Sequence, residues 1–170
     1  MFRFLSHMLI AATMATAMAS SVSAADADVL REAQDRADIE ALLWRYVRAL
    51  DSFDAEAYAS VFTDDGQFGD GPNAVTGRAA LAKMVTDLKN SRAERAGAGE
   101  SVPAMYHMIT NSYTEFVDRD HARVHTYWLT VFGATPGEAP PRVAAAGRGI
   151  DELVRVDGRW LIKLRNVAPQ

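Results

Sequence analysis

The sequence predicts a cone-shaped α+β barrel, in which three helices pack on a curved, mostly antiparallel sheet. Between Asp28 and Arg95, apolar side chains recur at three- and four-residue steps, as they do on one face of a helix. From Pro103 onward, segments rich in β-branched and aromatic residues are separated by turn signals, which is typical of strands. Because the helices come first and the strands last, the order favours the α+β class.

Three helices account for the first part of the domain. The first covers about 28–50, and Asp35 or Asp38 can serve at its start, where a carboxylate accepts hydrogen bonds from free N–H groups. The second covers about 55–62 and ends at the turn-forming stretch "TDDG". The third covers about 78–95, and its polar, glycine-containing tail "NSRAERAGAGE" is predicted to be an exposed loop.

The strands make up the second part. A short strand starts at "QFGD", and four longer segments form a meander: "AMYHMITNSYTEFV", "ARVHTYWLTVF", "RVAAAGRGIDELVRV" and "RWLIKLRNV". The dipeptide Asp157-Gly158 between the last two is a strong hairpin signal. A curved meander with a long helix laid across it makes a cone, and the open end of a cone is a pocket.

The first 24 residues are expected to be a signal peptide rather than part of the fold. Arg3 gives a short basic segment, residues 8–19 form an uncharged apolar run, and "SVSA" ending at Ala24 has the small residues that a signal peptidase needs. The apolar run is shorter than the roughly 20 residues that span a bilayer, so no stable membrane anchor is expected. The prediction is a periplasmic or secreted protein whose single domain covers 25–170.

The composition narrows the range of functions. The chain has no cysteine, so disulfides and thiolate chemistry are excluded. A net charge of -4, without a stripe of Lys and Arg, argues against nucleic acid as a partner. A metal site would need His107, His125 and Asp51 from three separate elements, which is a weak signal, so no metal or other cofactor is predicted. The expected partner is a small hydrophobic molecule.

Two residues could form a general base. Asp51 follows Leu43 and Val47 at four-residue steps, so it lies on the inward stripe of the first helix, where an apolar residue would be expected. His107 lies in the first long strand of the meander. A carboxylate bonded to one ring nitrogen fixes the tautomer and leaves the other nitrogen as a base near neutral pH. Two alternatives stay open: Asp51 belongs to a turn between helices, and His107 has a purely structural role.

The chain resembles the SnoaL-like branch of the nuclear transport factor 2 superfamily, from about Asp35 to Val167. The stretches that carry the resemblance are "IEALLWRYVRALDSFDAEAYASVFTDDGQF", "GRAAL", "YHMITN", "ARVHTYW" and "GRGIDELVRVDGRWLIKLRNV". Within it the chain is most similar to the group of scytalone dehydratase, bile acid 7α-dehydratase and hexachlorocyclohexane dehydrochlorinase. The resemblance implies that Asp51 and His107 are the paired base of that group. It also implies a homodimer or homotrimer.

The same resemblance offers further site residues. The bile acid dehydratase pattern has a Tyr five residues before the Asp, and Tyr46 fits this spacing, although a Tyr packed in the core would do so equally. His125 corresponds to a second strand His of scytalone dehydratase, but it could as well face outward. Tyr127 and Trp128 of the same strand are further candidates for substrate binding.

Two arginines complete the candidate set. Arg148 could orient a substrate oxygen or pair with a surface carboxylate, and Arg78 is a candidate of the same kind. After Arg148, relatives usually have an aromatic residue where this chain has Gly149, and the smaller residue is expected to open space.

These residues predict a cofactor-independent lyase, a dehydratase in which His107 and Asp51 remove a proton from a small apolar cyclic or aromatic alcohol. Two other functions agree with the same pocket. One is a protein that binds a hydrophobic molecule without changing it, and the other is an isomerase similar to ketosteroid isomerase.

Overall fold

The computed structural model describes residues 23–134, 137 and 139–169. In this part of the chain three helices pack on a six-stranded sheet. The helices are α1 (Ala24–Asp51), α2 (Ala55–Ser60) and α3 (Arg78–Gly97), and the strands are β1 (Phe62–Phe68), β2 (Val75–Thr76), β3 (Met105–Phe116), β4 (His121–Phe132), β5 (Arg142–Val156) and β6 (Arg159–Asn166). The predicted signal peptide lies almost wholly outside the described residues.

The sheet is mixed and open. Its strand order is β2-β1-β6-β5-β4-β3, and β3 to β6 form the expected antiparallel meander. β1 lies parallel to β6 and antiparallel to β2, which extends the sheet beyond the meander. The predicted α+β class, with three helices on a mostly antiparallel sheet, is confirmed, while the described strands do not close into a complete barrel. β3 is left as an edge strand, and this decides where the site lies.

The first helix starts earlier than its sequence pattern predicted. α1 begins at Ala24, and the Ser23 side chain accepts a hydrogen bond from the first turn, so the expectation that Asp35 or Asp38 lies at the start of the helix is wrong. Asp35 is buried in the middle of α1, where it accepts hydrogen bonds from Arg155 Nη2 at 2.5 Å and Trp160 Nε1 at 3.3 Å. No helix of the described residues is long and apolar enough to cross a membrane.

Two local predictions are wrong because tertiary contacts override the turn signals. The stretch "TDDG" was expected to be a turn, but it lies inside β1, which begins at Phe62. Phe62 was assigned to the second helix; its side chain is instead fully buried against Tyr46 and Tyr58. Gly66 makes the irregular strand possible, since a Cβ there would lie 2.8 Å from the Phe62 Cβ.

The remaining turn and loop predictions have mixed outcomes. α3 continues to Gly97, so most of the tail expected to be a loop is helical and exposed. The Asp157-Gly158 hairpin is present, with φ of 49° and 75° at its two residues, as a type I′ turn requires.

Candidate active site

Helix α1 runs along the free edge of strand β3. Asp51, at one end, contacts His107, and Arg36, nearer the other end, donates a hydrogen bond from Nη1 to the Thr114 carbonyl at 2.8 Å. From Arg36 to Asp51 the helix rises about 22 Å, and from His107 to Thr114 the strand advances at most about 23 Å, because a bulge after Thr110 shortens it. The two contacts place helix and strand side by side, with a trough between them.

Asp51 holds His107 through both its ring and its backbone. The ring Nδ1 lies 2.7 Å from Asp51 Oδ1, and the His107 N–H donates to Oδ1 at 3.1 Å and to Oδ2 at 3.3 Å. An ionised carboxylate only accepts hydrogen bonds, so the proton of the neutral imidazole is on Nδ1 and the lone pair is on Nε2. The two side chains are 21% and 18% exposed, which leaves the ring accessible to a small molecule.

The position of Asp51 argues against a purely local role in ending the helix. It is the last residue of α1, where the helix dipole disfavours negative charge. The helix is capped by Ser52, whose N–H bonds back to the Arg48 carbonyl. The three contacts with His107 offset the unfavourable position of Asp51 in the helix.

The trough is a mostly apolar cleft of about 550 Å³, with His107 in its wall. This size falls within the range of small-molecule sites. Apolar side chains of α1 and of the inner sheet face form its floor, and polar or charged groups lie at its rim. The lining residues are Ile39, Leu43, Val47, Ile109 and Val124, with Met108, Ser112, Tyr113, Thr114, Arg36, Glu40 and Trp44 around them.

Tyr46 is not in the trough. It lies on the neighbouring stripe of α1, buried in the core. Its ring centroid is 5.2 Å from that of Tyr58, and the Arg165 guanidinium carbon lies 4.3 Å from it. The structure therefore separates Tyr46 from the Asp51–His107 pair, and it supports the alternative of a core tyrosine.

Three other candidates lie on the opposite face of the sheet. Along β4 the residues Ala122, Val124 and Thr126 are buried on the inner face, so the alternate positions of His125 and Tyr127 face outward. His125 Nε2 lies 3.5 Å from Glu115 at the surface. Arg148, which pairs with Tyr127 in the sheet, is exposed on the same outer face. The expectation that these residues bind substrate beside His107 is not supported.

Arg78 has a structural position. Its Nε and Nη2 donate to the Phe62 carbonyl at 2.9 and 2.7 Å, and its Nη1 lies 2.8 Å from Asp64. These contacts join the start of α3 to β1. Like the outer-face residues, Arg78 does not reach the trough.

Trp128 lies on the inner face but points away from β3. Its indole N–H donates to the carbonyls of Arg148 and Val167, at 3.1 and 2.9 Å, and the ring lies over Gly147. Gly149 does not open space as expected, because it is buried and a Cβ there would lie 2.8 Å from Thr126 Oγ1.

The sequence analysis missed a buried ion pair under α1. The carboxylate of Asp151 accepts a hydrogen bond from Arg165 Nη1, and both side chains are almost fully buried. Burial raises the pKa of Asp151 to about 6, although the positive charge of Arg165 acts in the opposite direction. The sequence did contain a signal for the burial of Asp151. It lies two residues before Leu153 on a strand, so both side chains lie on the same inner face.

No group of three or more possible metal ligands occurs within the described residues. His121 and His125 have the spacing of a metal-binding pair on a helix, but they lie on strand β4. Four residues of strand separate two side chains by about 13 Å, so the two cannot share an ion.

The structure is similar to several solved proteins. An NTF2-like protein with a cystatin-like fold from Novosphingobium aromaticivorans superposes with a TM-score of 0.70 and 24% identity, over 86% of this chain and 89% of that one. A protein from the same organism, provisionally named a scytalone dehydratase, is 26% identical, with a TM-score of 0.62 over 81% and 85% of the two chains. A protein from Catenulispora acidiphila, solved in complex with S-DNPA, is 26% identical, with a TM-score of 0.62 over 78% and 91%.

Sequence comparison agrees with the structural one. No curated protein matches the chain. The family model that describes the SnoaL-like domain matches residues 31–166, which include most of α1, the whole sheet, Asp51 and His107. The chain therefore belongs to the SnoaL-like family, within the NTF2-like fold.

Proposed function

We propose that the protein is a cofactor-independent lyase that removes water from a small apolar cyclic or aromatic compound carrying a hydroxyl group. The observation that supports this function best is the 2.7 Å contact between Asp51 and His107 Nδ1 beside an apolar cleft. The similarity to a protein provisionally named a scytalone dehydratase agrees with it.

The reaction has one base and one leaving group. His107 Nε2 takes a proton from the carbon next to the one that carries the hydroxyl. The electron pair left on that carbon forms a C=C bond, the neighbouring C–O bond breaks, and the leaving hydroxide takes the proton from the imidazolium to give water. Asp51 keeps the ring in the required tautomer and stabilises its positive charge after proton transfer.

The second candidate function is binding of a hydrophobic molecule without reaction. It is favoured by the apolar lining of the cleft, which requires no proton transfer. An isomerase would use the same base, and it would need a hydrogen-bond donor for an oxygen that becomes negative. The two enzymatic candidates differ from simple binding because they lose activity when the base nitrogen of His107 is removed.

The test uses 3-hydroxy-1-tetralone, a bicyclic hydroxy ketone whose loss of water gives fluorescent 1-naphthol. We expect the full-length protein to catalyse this dehydration and His107→Ala to lower kcat/KM by about 10²-fold or more, the usual contribution of a general base. His121→Ala is the matched control, because His121 is exposed and lies outside the cleft. Turnover by His107→Ala within about threefold of the unmodified protein, under 1 kcal/mol of barrier, would contradict the assignment of the base.

We also propose that the protein self-associates through the outer face of the sheet as a homodimer or homotrimer. This face carries exposed apolar side chains on three neighbouring strands, among them Tyr106, Tyr127 and Val143. Contiguous exposed apolar surface of this kind is typical of contacts between proteins.

A further inference from the structure

The hydrogen bonds of β3 alternate in direction, and their phase can be determined. In an antiparallel pair, residues opposite each other either exchange both backbone hydrogen bonds or direct both groups away from the partner. Gly133 N–H donates to the Ala104 carbonyl at 2.8 Å, just beyond the pair of Met105 with Phe132. Even-numbered residues from Ala104 to Thr110 therefore bond to β4.

The odd-numbered residues of the same stretch face the other way. His107 agrees with this phase, because its N–H bonds to Asp51 and not to β4. Ile109 is the next residue with this direction. It pairs with Trp128 and lies before the bulge that follows Thr110, so the regular alternation still applies to it. Its N–H and the His107 carbonyl therefore point toward α1, into the trough that Ile109 lines.

The part of α1 opposite Ile109 presents mainly apolar side chains to the trough. Asp51 binds the backbone at one end of the trough and Arg36 at the other. Between them Leu43 and Val47 present apolar side chains to the trough, and the carboxylate of Glu40 lies about two helical turns before Val47. The Ile109 N–H therefore faces a cleft large enough for a small molecule, where a ligand oxygen can accept its hydrogen bond.

We propose that the Ile109 N–H binds the carbonyl oxygen of the substrate. The inference rests on the proposed function, because it places that oxygen in the same trough as His107. Ile109 is two residues from His107, about 6.6 Å along the strand, so one cyclic ketone can contact both. When His107 removes the proton, the electron pair moves onto the carbonyl oxygen, and the N–H stabilises the enolate until the C–O bond breaks.

The direct test observes the Ile109 amide in the ¹⁵N-labelled full-length protein by nuclear magnetic resonance. The probes are 1-tetralone, which has a ketone, and tetralin, which has the same two rings without oxygen. We expect 1-tetralone to move the Ile109 amide proton downfield and tetralin to leave it nearly unchanged. The same displacement with both probes, no displacement on binding of 1-tetralone, or no binding of either probe would overturn the proposal.

Substitution provides a second readout. Ile109→Pro and Ile109→Ala both shorten the side chain, but only Pro removes the N–H. Proline is tolerated on an edge strand at a position where the replaced N–H faces away from the ladder. We expect Ile109→Pro to bind 1-tetralone at least tenfold more weakly than Ile109→Ala, while tetralin binds both within about twofold. Met108→Pro is the control for the phase, because its N–H belongs to the ladder and its loss should lower the melting temperature below that of Ile109→Pro. Equal affinity of the two Ile109 variants for 1-tetralone contradicts the proposal.

If Ile109→Pro does not fold, replacing Ile109 with its α-hydroxy acid removes the N–H and keeps the side chain. The ester variant should show the same tenfold loss for 1-tetralone relative to the unmodified protein. Unchanged affinity in the ester variant, with His107→Ala inactive on 3-hydroxy-1-tetralone, would reject the Ile109 donor and leave the base in place. An active His107→Ala would reject the proposed function, whatever the Ile109 variants do.

Discussion

Asp51 has two separable effects on His107, one on the ring and one on the backbone. The ring contact sets the tautomer, which concerns the reaction. The backbone contact satisfies an edge N–H of β3, which concerns stability. A single carboxylate at the end of α1 thus joins the positioning of the base to the docking of the helix on the strand.

Two Asp51 variants separate these effects. Asp51→Asn keeps an oxygen acceptor for the His107 N–H but loses the charge, so we expect turnover to fall about 10²-fold or more and the free energy of unfolding to change by less than about 1 kcal/mol. Asp51→Ala should also lower stability, by about 1 kcal/mol, because it leaves the part-buried His107 N–H without its acceptor. Urea unfolding and the 3-hydroxy-1-tetralone assay measure both quantities. Equal stability of Asp51→Ala and the unmodified protein would show that the backbone contact is unimportant.

The Asp151–Arg165 pair makes stability depend on pH. Burial raises the pKa of Asp151 to about 6 in the folded protein, from an ordinary value of 3.8. Between these values the folded state binds more protons than the unfolded state, so the contribution of Asp151 to the free energy of unfolding falls as pH rises from about 4 to about 6. Its slope is at most about 1.4 kcal/mol per pH unit, and it vanishes above this window.

Urea unfolding at pH 4 to 7 measures this slope against that of the double variant Asp151→Asn, Arg165→Met. The double variant removes both charges, because an unpaired buried Arg165 would by itself cost about 3–5 kcal/mol. We expect the stability of the unmodified protein to fall more steeply with rising pH. Parallel curves for the two proteins would mean that Asp151 does not titrate in this window.

At the level of elements, β5 is shaped by the indole of Trp128. Gly147 lies under this ring, and a Cβ at that position would approach it to 2.6 Å. The indole N–H reaches across β5 to the Val167 carbonyl and so fixes the chain just after β6. Glycine is needed at position 147 because the Trp128 ring lies too close to leave room for a Cβ, and not because the chain turns there.

Gly147→Ala should therefore destabilise the protein by about 1–3 kcal/mol, the usual cost of an overpacked contact. Gly97→Ala is the matched control, because Gly97 lies at the end of α3 with open space at its Cβ. The control should be as stable as the unmodified protein or up to about 1 kcal/mol more stable, since Ala favours the helix. Thermal unfolding measures both, and a Gly147→Ala protein as stable as Gly97→Ala would contradict the close contact.

At the level of the whole molecule, the two faces of the sheet have different partners. The inner face packs on α1 and contains the core, while the outer face leaves Tyr127 and Val143 52% and 59% exposed. A second copy of the chain could cover this surface without blocking the inner face.

Charged residues on the outer face should disrupt this association. We expect Tyr127→Glu with Val143→Glu to shift the protein toward a monomer, because an unpaired charge in an apolar interface is costly. Val29→Glu is the control, since Val29 is exposed on α1 and far along the chain from this face. Sedimentation velocity measures the masses. A monomeric unmodified protein, or an unchanged mass of the double variant, would contradict self-association through this face.

Much of this architecture can be read from local patterns. Apolar periodicity predicted the three helices and the meander, and Asp157-Gly158 predicted its hairpin, because these signals act between residues close in sequence. The inward position of Asp51 followed from the step of four residues after Val47. The resemblance to relatives added its pairing with His107.

Other features depend on contacts between distant parts of the chain. Periodicity places Tyr46 inward but does not say that it packs on Arg165, outside the trough. Alternation along β4 gives His125 and Trp128 opposite faces but does not say which face is covered by helices. "TDDG" lies in the irregular part of β1, between the residues Phe62 and Gln67 that pair with β6 on either side of it. The free edge of β3, and with it the direction of the Ile109 N–H, depends on the order and register of strands. Strand order is determined by pairing between distant segments, and the bulge after Thr110 shifts the register of β3, so apolar periodicity alone predicts neither.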